Sequence, residues 1–405
     1  KFWMLPTVLL FQLLLRFSTV GAESPGAGQP EVIPAQEYDQ SPEKGSHHRR
    51  WKVSQPFTGP DGNPGLQTRQ YVEIQTGLHY QENGQWLLTQ ERIEIHDRGA
   101  VARHGPHQVI FGPDMQGADA IDLLTPDGKR FRSHLLGLSY YDAATGQSVL
   151  IASVKTGRGE LLPPNQIVYQ DAFEDLKADI RYTYTKAGFE QEVILRENPL
   201  PPEAYGLNAQ STRLEVLTEF FQPPEPRKSP RIVVREEDPQ RRQVMAEPDL
   251  VDENLDFGLM KIGPGRAFYQ GEDPRDASGK HQRSAVVAKR WQRMDGRDLL
   301  IEAVQYPSIK PFLESLPKKL AQTRPTHFRS LASSKRMLPN PNGSEAQGQS
   351  IALAASPFPV GGVILDYHAS FPTARFTFYE GVTYLVSGNV CLSDTTTIQG
   401  GAIVK

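Results

Sequence analysis

From about Gln67 onward, apolar and polar residues alternate in short runs separated by Gly, Pro, Asn and Asp. A period of two along the chain predicts half-buried β-strands. Arg69–Ile95 ("RQYVEIQTGLHYQENGQWLLTQERIEI") reads as strands joined at an Asn83-Gly84 hairpin turn. His107–Phe111, Ala120–Val154 and Asn165–Phe173 repeat the scheme, with Pro126-Asp127-Gly128 and Ala144-Thr145-Gly146 as turns. Turns recurring every ~8–12 residues favour a sandwich or barrel. The expected fold is therefore mainly β, with an antiparallel β-sandwich over residues 66–227. Its clearest unit is Ala178–Leu195, two alternating strands flanking Lys186-Ala187-Gly188. A three-residue loop would place Thr185 opposite Phe189, hence Ile180 opposite Ile194, Tyr182 opposite Glu192 and Tyr184 opposite Glu190. That register brings Tyr182, Tyr184, Glu190 and Glu192 to one face, where rings beside carboxylates can hold a sugar. The plainer reading is that such cross-strand pairs only stabilise the sheet.

The remaining segments are more mixed. Residues 23–65 have no apolar period and read as a linker, within which His47–Lys52 ("HHRRWK") forms a basic cluster. Pro223–Pro230 marks a boundary, and residues 228–332 read as a small α+β extension or second β domain. There, Asp238 is placed to cap a short helix with Pro239 at its first position. Phe257–Gly271 and Lys289–Tyr306 look like hairpins, the second turned by Asp295-Gly296. Ser308–Leu320 can form a helix with Pro311 in its first turn. A polar spacer, 333–350, precedes the final segment, 351–405.

Composition narrows the function classes. Acidic and basic residues number 47 and 44, so no global positive field recruits nucleic acid. Near the start, Met4–Leu15 is apolar but shorter than the about 20 residues that span a bilayer. Arg16 and then Val20-Gly21-Ala22 follow it, the pattern of a secretory signal cleaved after Ala22. The expected location is secreted or cell-surface, with no membrane span in the mature chain. Cys391 is the single cysteine, so no internal disulfide forms and a small core residue is the simplest reading.

Candidate chemistry is sparse. His96, His104 and His107 cluster, but Gly105-Pro106 forbids the helix that would align the last two, so no metal site is assigned. Asp171, Glu174, Asp175 and Asp179 gather in a turn where solvated or backbone-bonding carboxylates are the common case. No nucleophile elbow, phosphate loop or dinucleotide fingerprint is present, and neither a cofactor nor a catalytic residue is assigned.

Asn165–Leu195 resembles a pattern in the amino-terminal regions of large exported bacterial proteins, including rearrangement-hotspot (YD-repeat) proteins. Val168–Tyr169, Asp179–Tyr182, Gly188 and Glu190–Leu195 carry the resemblance, which spans residues 67–221. No Tyr-Asp repeats follow. Ile364–Lys405 resembles the entry to a parallel β-helix, with Thr383–Ser393 and Thr395–Lys405 as successive strands and Gly-containing corners. Such rungs bury their apolar face only by stacking. The chain is thus expected to break off as a solenoid begins. The resemblance implies a non-catalytic presentation region of a large surface protein, whose partners are its own further repeats and a polysaccharide or cell-envelope component. The alternative is the amino-terminal portion of a secreted carbohydrate-binding or carbohydrate-active β-helix protein.

Overall fold

The computed structural model describes residues 37–38, 42–118, 120–270, 284–318, 338, 351–355 and 361–405. Strands dominate, as the alternation predicts, and the protein is mainly β. Both α-helices among the described residues are short, Pro239–Val244 and Tyr306–Leu313. The first starts where the sequence places it: the Asp238 side chain accepts the N–H groups of Gln240 and Arg241. The second starts earlier than expected, at Tyr306, because Pro307 takes its first turn and leaves Pro311 inside. No helix among the described residues is long and apolar enough to cross a membrane.

One run of antiparallel pairings joins Gln108–Phe111, Ile121–Leu124, Arg130–Asp142, Thr212–Phe221, Arg297–Gln305 and Ser284–Met294. It continues through Gly265–Tyr269, Val363–Ser370, Gly188–Leu195, Ala178–Thr185 and Gln166–Tyr169. Ser284–Met294 joins the two halves. Residues 284–287 pair with 265–268, and residues 288–294 pair with 297–303. The result is a nearly closed, barrel-like sheet. Strand twist is what lets a long strand pair at one end with each half.

This sheet crosses the expected domain boundaries. Thr212–Phe221 pairs with Arg297–Gln305, and Gly188–Leu195 with Val363–Ser370. Strands assigned to the sandwich, the extension and the final segment therefore share one core. The linker expected up to residue 65 also ends sooner, since His48–Thr58 is a strand paired with Pro64–Ile74. Ala22 lies outside the described residues, as does the 333–350 spacer except for Leu338.

The expected register of Ala178–Leu195 is off by one. Thr185 pairs with Gly188, so Ile180 faces Val193, Tyr182 faces Gln191 and Tyr184 faces Phe189. A one-residue slip exchanges the two faces of a strand. Here burial decides the outcome, because Phe189 and Val193 complete the core alongside Tyr182 and Tyr184. Gly188 sits in the turn for want of room. A β-carbon there would lie 2.4 Å from the Ala369 carbonyl oxygen and 2.7 Å from His368 Cε1. The Phe257–Gly271 hairpin does not form either. Lys261–Ile262 and Gly265–Tyr269 both pair antiparallel with Val363–Ser370, so Gly263-Pro264 is an interruption in a single pass.

Inside the barrel, Tyr140, Tyr169, Tyr182, Tyr184, Phe111 and Phe131 are fully buried. Trp291 packs on Phe220 at 4.9 Å and on Phe257 at 5.5 Å between ring centroids, tying the shared strand to its neighbours. Replacing Gly188 by Ala should destabilise the protein by roughly 1–3 kcal/mol. Urea unfolding reads this as a lower midpoint at unchanged slope; an unchanged midpoint would mean that the close approach is absent.

Candidate functional site

Residues 373–405 build a second, smaller architecture beside the barrel. Thr373–Ala374 pairs in parallel with Leu392–Ser393, Thr377–Phe378 with Thr397–Ile398, and Thr383–Tyr384 with Ile403–Val404. The offsets are 19, 20 and 20 residues, so two similar turns of chain lie one on the other. Their corners recur as well. Arg375 and Asp394 both adopt positive φ (53° and 60°), and so do Gly381 and Gly401 (71° and 89°). Asp tolerates the left-handed region better than most residues, and Gly adopts it freely.

Side chains explain why this turn of chain holds together. Phe376, Phe378, Val382 and Tyr384 cluster with Val72 and Leu392. Phe378 and Tyr384 meet edge to face at 4.8 Å between centroids, as do Phe376 and Phe378 at 4.9 Å. The Tyr384 hydroxyl accepts the Tyr379 N–H at 2.9 Å and closes the corner.

The two edges of this stack differ. On one side Gln70–Ile74 pairs in parallel with Val382–Val386, and that strand is itself backed by His48–Thr58. Two further bonds fasten this side: Thr76 N–H donates to the Asn389 carbonyl at 3.0 Å, and Cys391 N–H to Thr76 Oγ1 at 2.7 Å. On the other side Thr397–Ile398 and Ile403–Val404 have no strand partner beyond the first rung among the described residues. Ile398, Ile403 and Val404 are 66%, 49% and 48% exposed there. A row of unpaired backbone groups flanked by exposed β-branched side chains is a template for another strand.

The residues read from the sequence as a sugar face are not on one face. Tyr182 and Tyr184 point into the core and are fully buried. Tyr182 donates its hydroxyl to Gln191 at 3.2 Å, and Tyr184 to the His107 carbonyl at 3.0 Å. Glu190 and Glu192 lie on the opposite side of the sheet, in cross-strand rows Thr183–Glu190–His368 and Arg181–Glu192–Asp366. Glu192 is hydrogen-bonded by Arg181, and Glu190 lies 3.1 Å from His368. His104 contacts Tyr80 and Glu94, while His107 is buried and stacked on Phe371 at 4.2 Å. His96 accepts the Arg98 N–H. Among the described residues no group of three or more His, Cys, Asp or Glu is placed to hold a metal. In the acidic turn, Asp179 pairs with Arg196 and accepts the Asp171 N–H, while Asp171 and Asp175 take positive φ. Those are structural roles.

A buried polar belt crosses the barrel interior. Lys289 and Glu302 face each other across Ser284–Met294 and Arg297–Gln305, on the inward rows that hold Trp291 and Leu300. Both are buried, with Gln191, Thr218, Tyr182 and Tyr367 on neighbouring inward positions. Asp252 accepts the Lys289 backbone N–H at 3.0 Å. Burial pushes the Glu302 carboxyl up to about 7, against the pull of Lys289, and burial pushes Lys289 down. The sequence carries a signal for this pair: Lys289 lies six residues before Asp295 and Glu302 six after Gly296, so a two-residue turn sets them opposite.

Fold and edge together define a mainly β protein in which a barrel-like sheet holds a short parallel stack. Comparison with protein-family models, curated proteins and solved structures finds no match.

Folded Glu302 keeps its proton to about pH 7, whereas the unfolded carboxyl releases it near 4.5. The folded chain therefore binds the extra proton between those values, and this group's contribution falls as pH rises through the window. Unfolding free energies measured from pH 4.5 to 7.5 should show wild type losing about 3 kcal/mol relative to Glu302→Gln. Parallel pH profiles would show that Glu302 is not held protonated.

Proposed function

We propose that this chain is the non-catalytic head of a large exported bacterial protein, and that it caps and presents a parallel β-helix at the cell surface or outside the cell. One observation carries the reading: Pro64–Ile74 covers the first edge of the 373–405 stack while the opposite edge is open. A parallel stack needs both ends managed, since each unpaired edge invites association. In this head the first edge is met by a strand from the amino-terminal side, backed by an antiparallel partner. The open edge carries β-branched side chains and repeats the corner geometry of the rung below it. Another rung of the same length would find its backbone partners in place.

The leader pattern ending at Ala22 and the resemblance of Asn165–Leu195 to exported head regions support the same location. The function is mechanical. The barrel supplies a folded base, the Pro64–Ile74 strand fixes the register of the first rung, and the open edge passes that register on. The head acts on no external substrate in this reading.

Appending a second copy of residues 386–405 to Lys405 of the full chain tests it. Hydrogen exchange at the Ile403 and Val404 amides should slow by about tenfold or more, because a paired strand opens less often. A scrambled twenty-residue extension should leave their exchange unchanged. Equal exchange in both extended chains would overturn the reading.

A further inference from the structure

The sheet that covers the first rung has two faces. One looks into the rung, where Val72, Val382 and Tyr384 cluster with Phe376 and Phe378. The other points away from it, because successive residues of a strand alternate sides. Cross-strand pairing lays out three rows on this outer face. The middle row is Trp51–Tyr71–Thr383–Ile403. Lys44–Arg49–Glu73–Leu385 flanks it on one side and Val53–Arg69 on the other. Trp51, Tyr71 and Thr383 are half-buried, and Leu385 and Ile403 are exposed.

The aromatic pair is held in place. Arg49 Cζ lies 5.6 Å from the Trp51 ring centroid, and the same guanidinium is ion-paired to Glu73. Trp51 and Tyr71 face each other on neighbouring strands, one strand spacing apart, or ~4.8 Å. Charge on the face is unequal. Arg49 and Glu73 neutralise each other, which leaves Lys44 and Arg69 as surplus cations on opposite sides of the aromatic row. Arg69 Nη2 donates to Gln67 Oε1 at 3.3 Å, a neutral partner.

Two adjacent rings on a flat sheet offer stacking surface to the apolar faces of two successive sugars. Exposed guanidinium and ammonium groups beside them favour carboxylates, and guanidinium matches a carboxylate with two parallel hydrogen bonds. Two surplus cations fall short of the charged groove that tracks a nucleic-acid backbone.

We propose that this outer face binds an acidic, carboxylate-bearing polysaccharide that crosses the strands along Trp51 and Tyr71. Two sugar rings stack on the two side chains, their hydroxyls meet Thr383 and Gln67, and their carboxylates meet Arg69 and Lys44. The site leaves the open edge of the stack free. It adds a ligand to the capping role and does not rest on that role.

The test is affinity electrophoresis of the full chain in native gels cast with polygalacturonate, alginate or dextran. Both polyuronates should retard the protein, and neutral dextran should not. Trp51→Ala and Arg69→Glu, each with unchanged circular dichroism, should weaken the retardation on the order of tenfold. Arg69 is exposed, so its variant decides if Trp51→Ala does not fold. No retardation by either polyuronate, or equal retardation of wild type and Arg69→Glu, would overturn the proposal. Equal retardation by dextran would overturn the acidic assignment, and binding of oligothymidylate in place of both polyuronates would overturn the proposal in favour of single-stranded nucleic acid.

Discussion

The parallel pairing of Gln70–Ile74 with Val382–Val386 joins segments some three hundred residues apart in the chain. Closing so long a loop costs entropy that grows slowly with length but must be met before the contact returns anything. The pairing is affordable because the barrel already holds both segments nearby. On the amino-terminal side, Gly77 approaches the turn at Lys186, and Lys186 N–H donates to Glu91 at 2.8 Å. On the carboxyl-terminal side, Phe371 N–H donates to the Ala187 carbonyl at 3.0 Å, just before the first rung starts at Thr373. The turn at Lys186–Ala187 therefore touches both flanks of the stack. Barrel and rung are coupled through it.

A second constraint acts inside the barrel. Ser284–Met294 belongs to both halves of the large sheet, and it carries Lys289 into the interior where those halves meet. A buried lysine opposite a buried glutamate adds little to stability, but each is a strong penalty against any register that leaves the other alone. Trp291, two residues on, supplies the apolar contact that the strand needs on the same face. Register and packing thus agree on this strand. A slip by one would expel Trp291 and strand Glu302 together.

Much of the fold was legible in the sequence, for identifiable reasons. The Asn83-Gly84 and Asp295-Gly296 turns and the Asp238 cap depend on chemistry within a few residues, and all three stand where the sequence places them. What escaped depends on distant partners. The 185–188 turn offers two registers, and the choice between them was made by the core, which wanted Phe189 and Val193 inside rather than Glu190 and Glu192. Gly263-Pro264 reads locally as a turn, and only Val363–Ser370 pairing with both flanks shows that the chain goes straight on. The rung repeat was visible as Gly381 and Gly401 twenty residues apart, but one extra residue between Asp394 and Thr397 blurs it. The Lys289–Glu302 pair was readable from its symmetry about Asp295-Gly296, a signal that alternation alone does not flag.

The whole arrangement depends on an amino-terminal strand lying beside Val382–Val386. Tyr71 and Thr383 are paired residues in that contact, and both are only half-buried. Paired strand residues have α-carbons within the range a disulfide spans. The direct measurement is oxidation of the Tyr71→Cys/Thr383→Cys double variant in the folded full chain, followed by non-reducing peptide mapping. The account predicts a 71–383 disulfide in most molecules, with neither cysteine linked to Cys391. Two free thiols, or scrambled links in the folded protein, would contradict it.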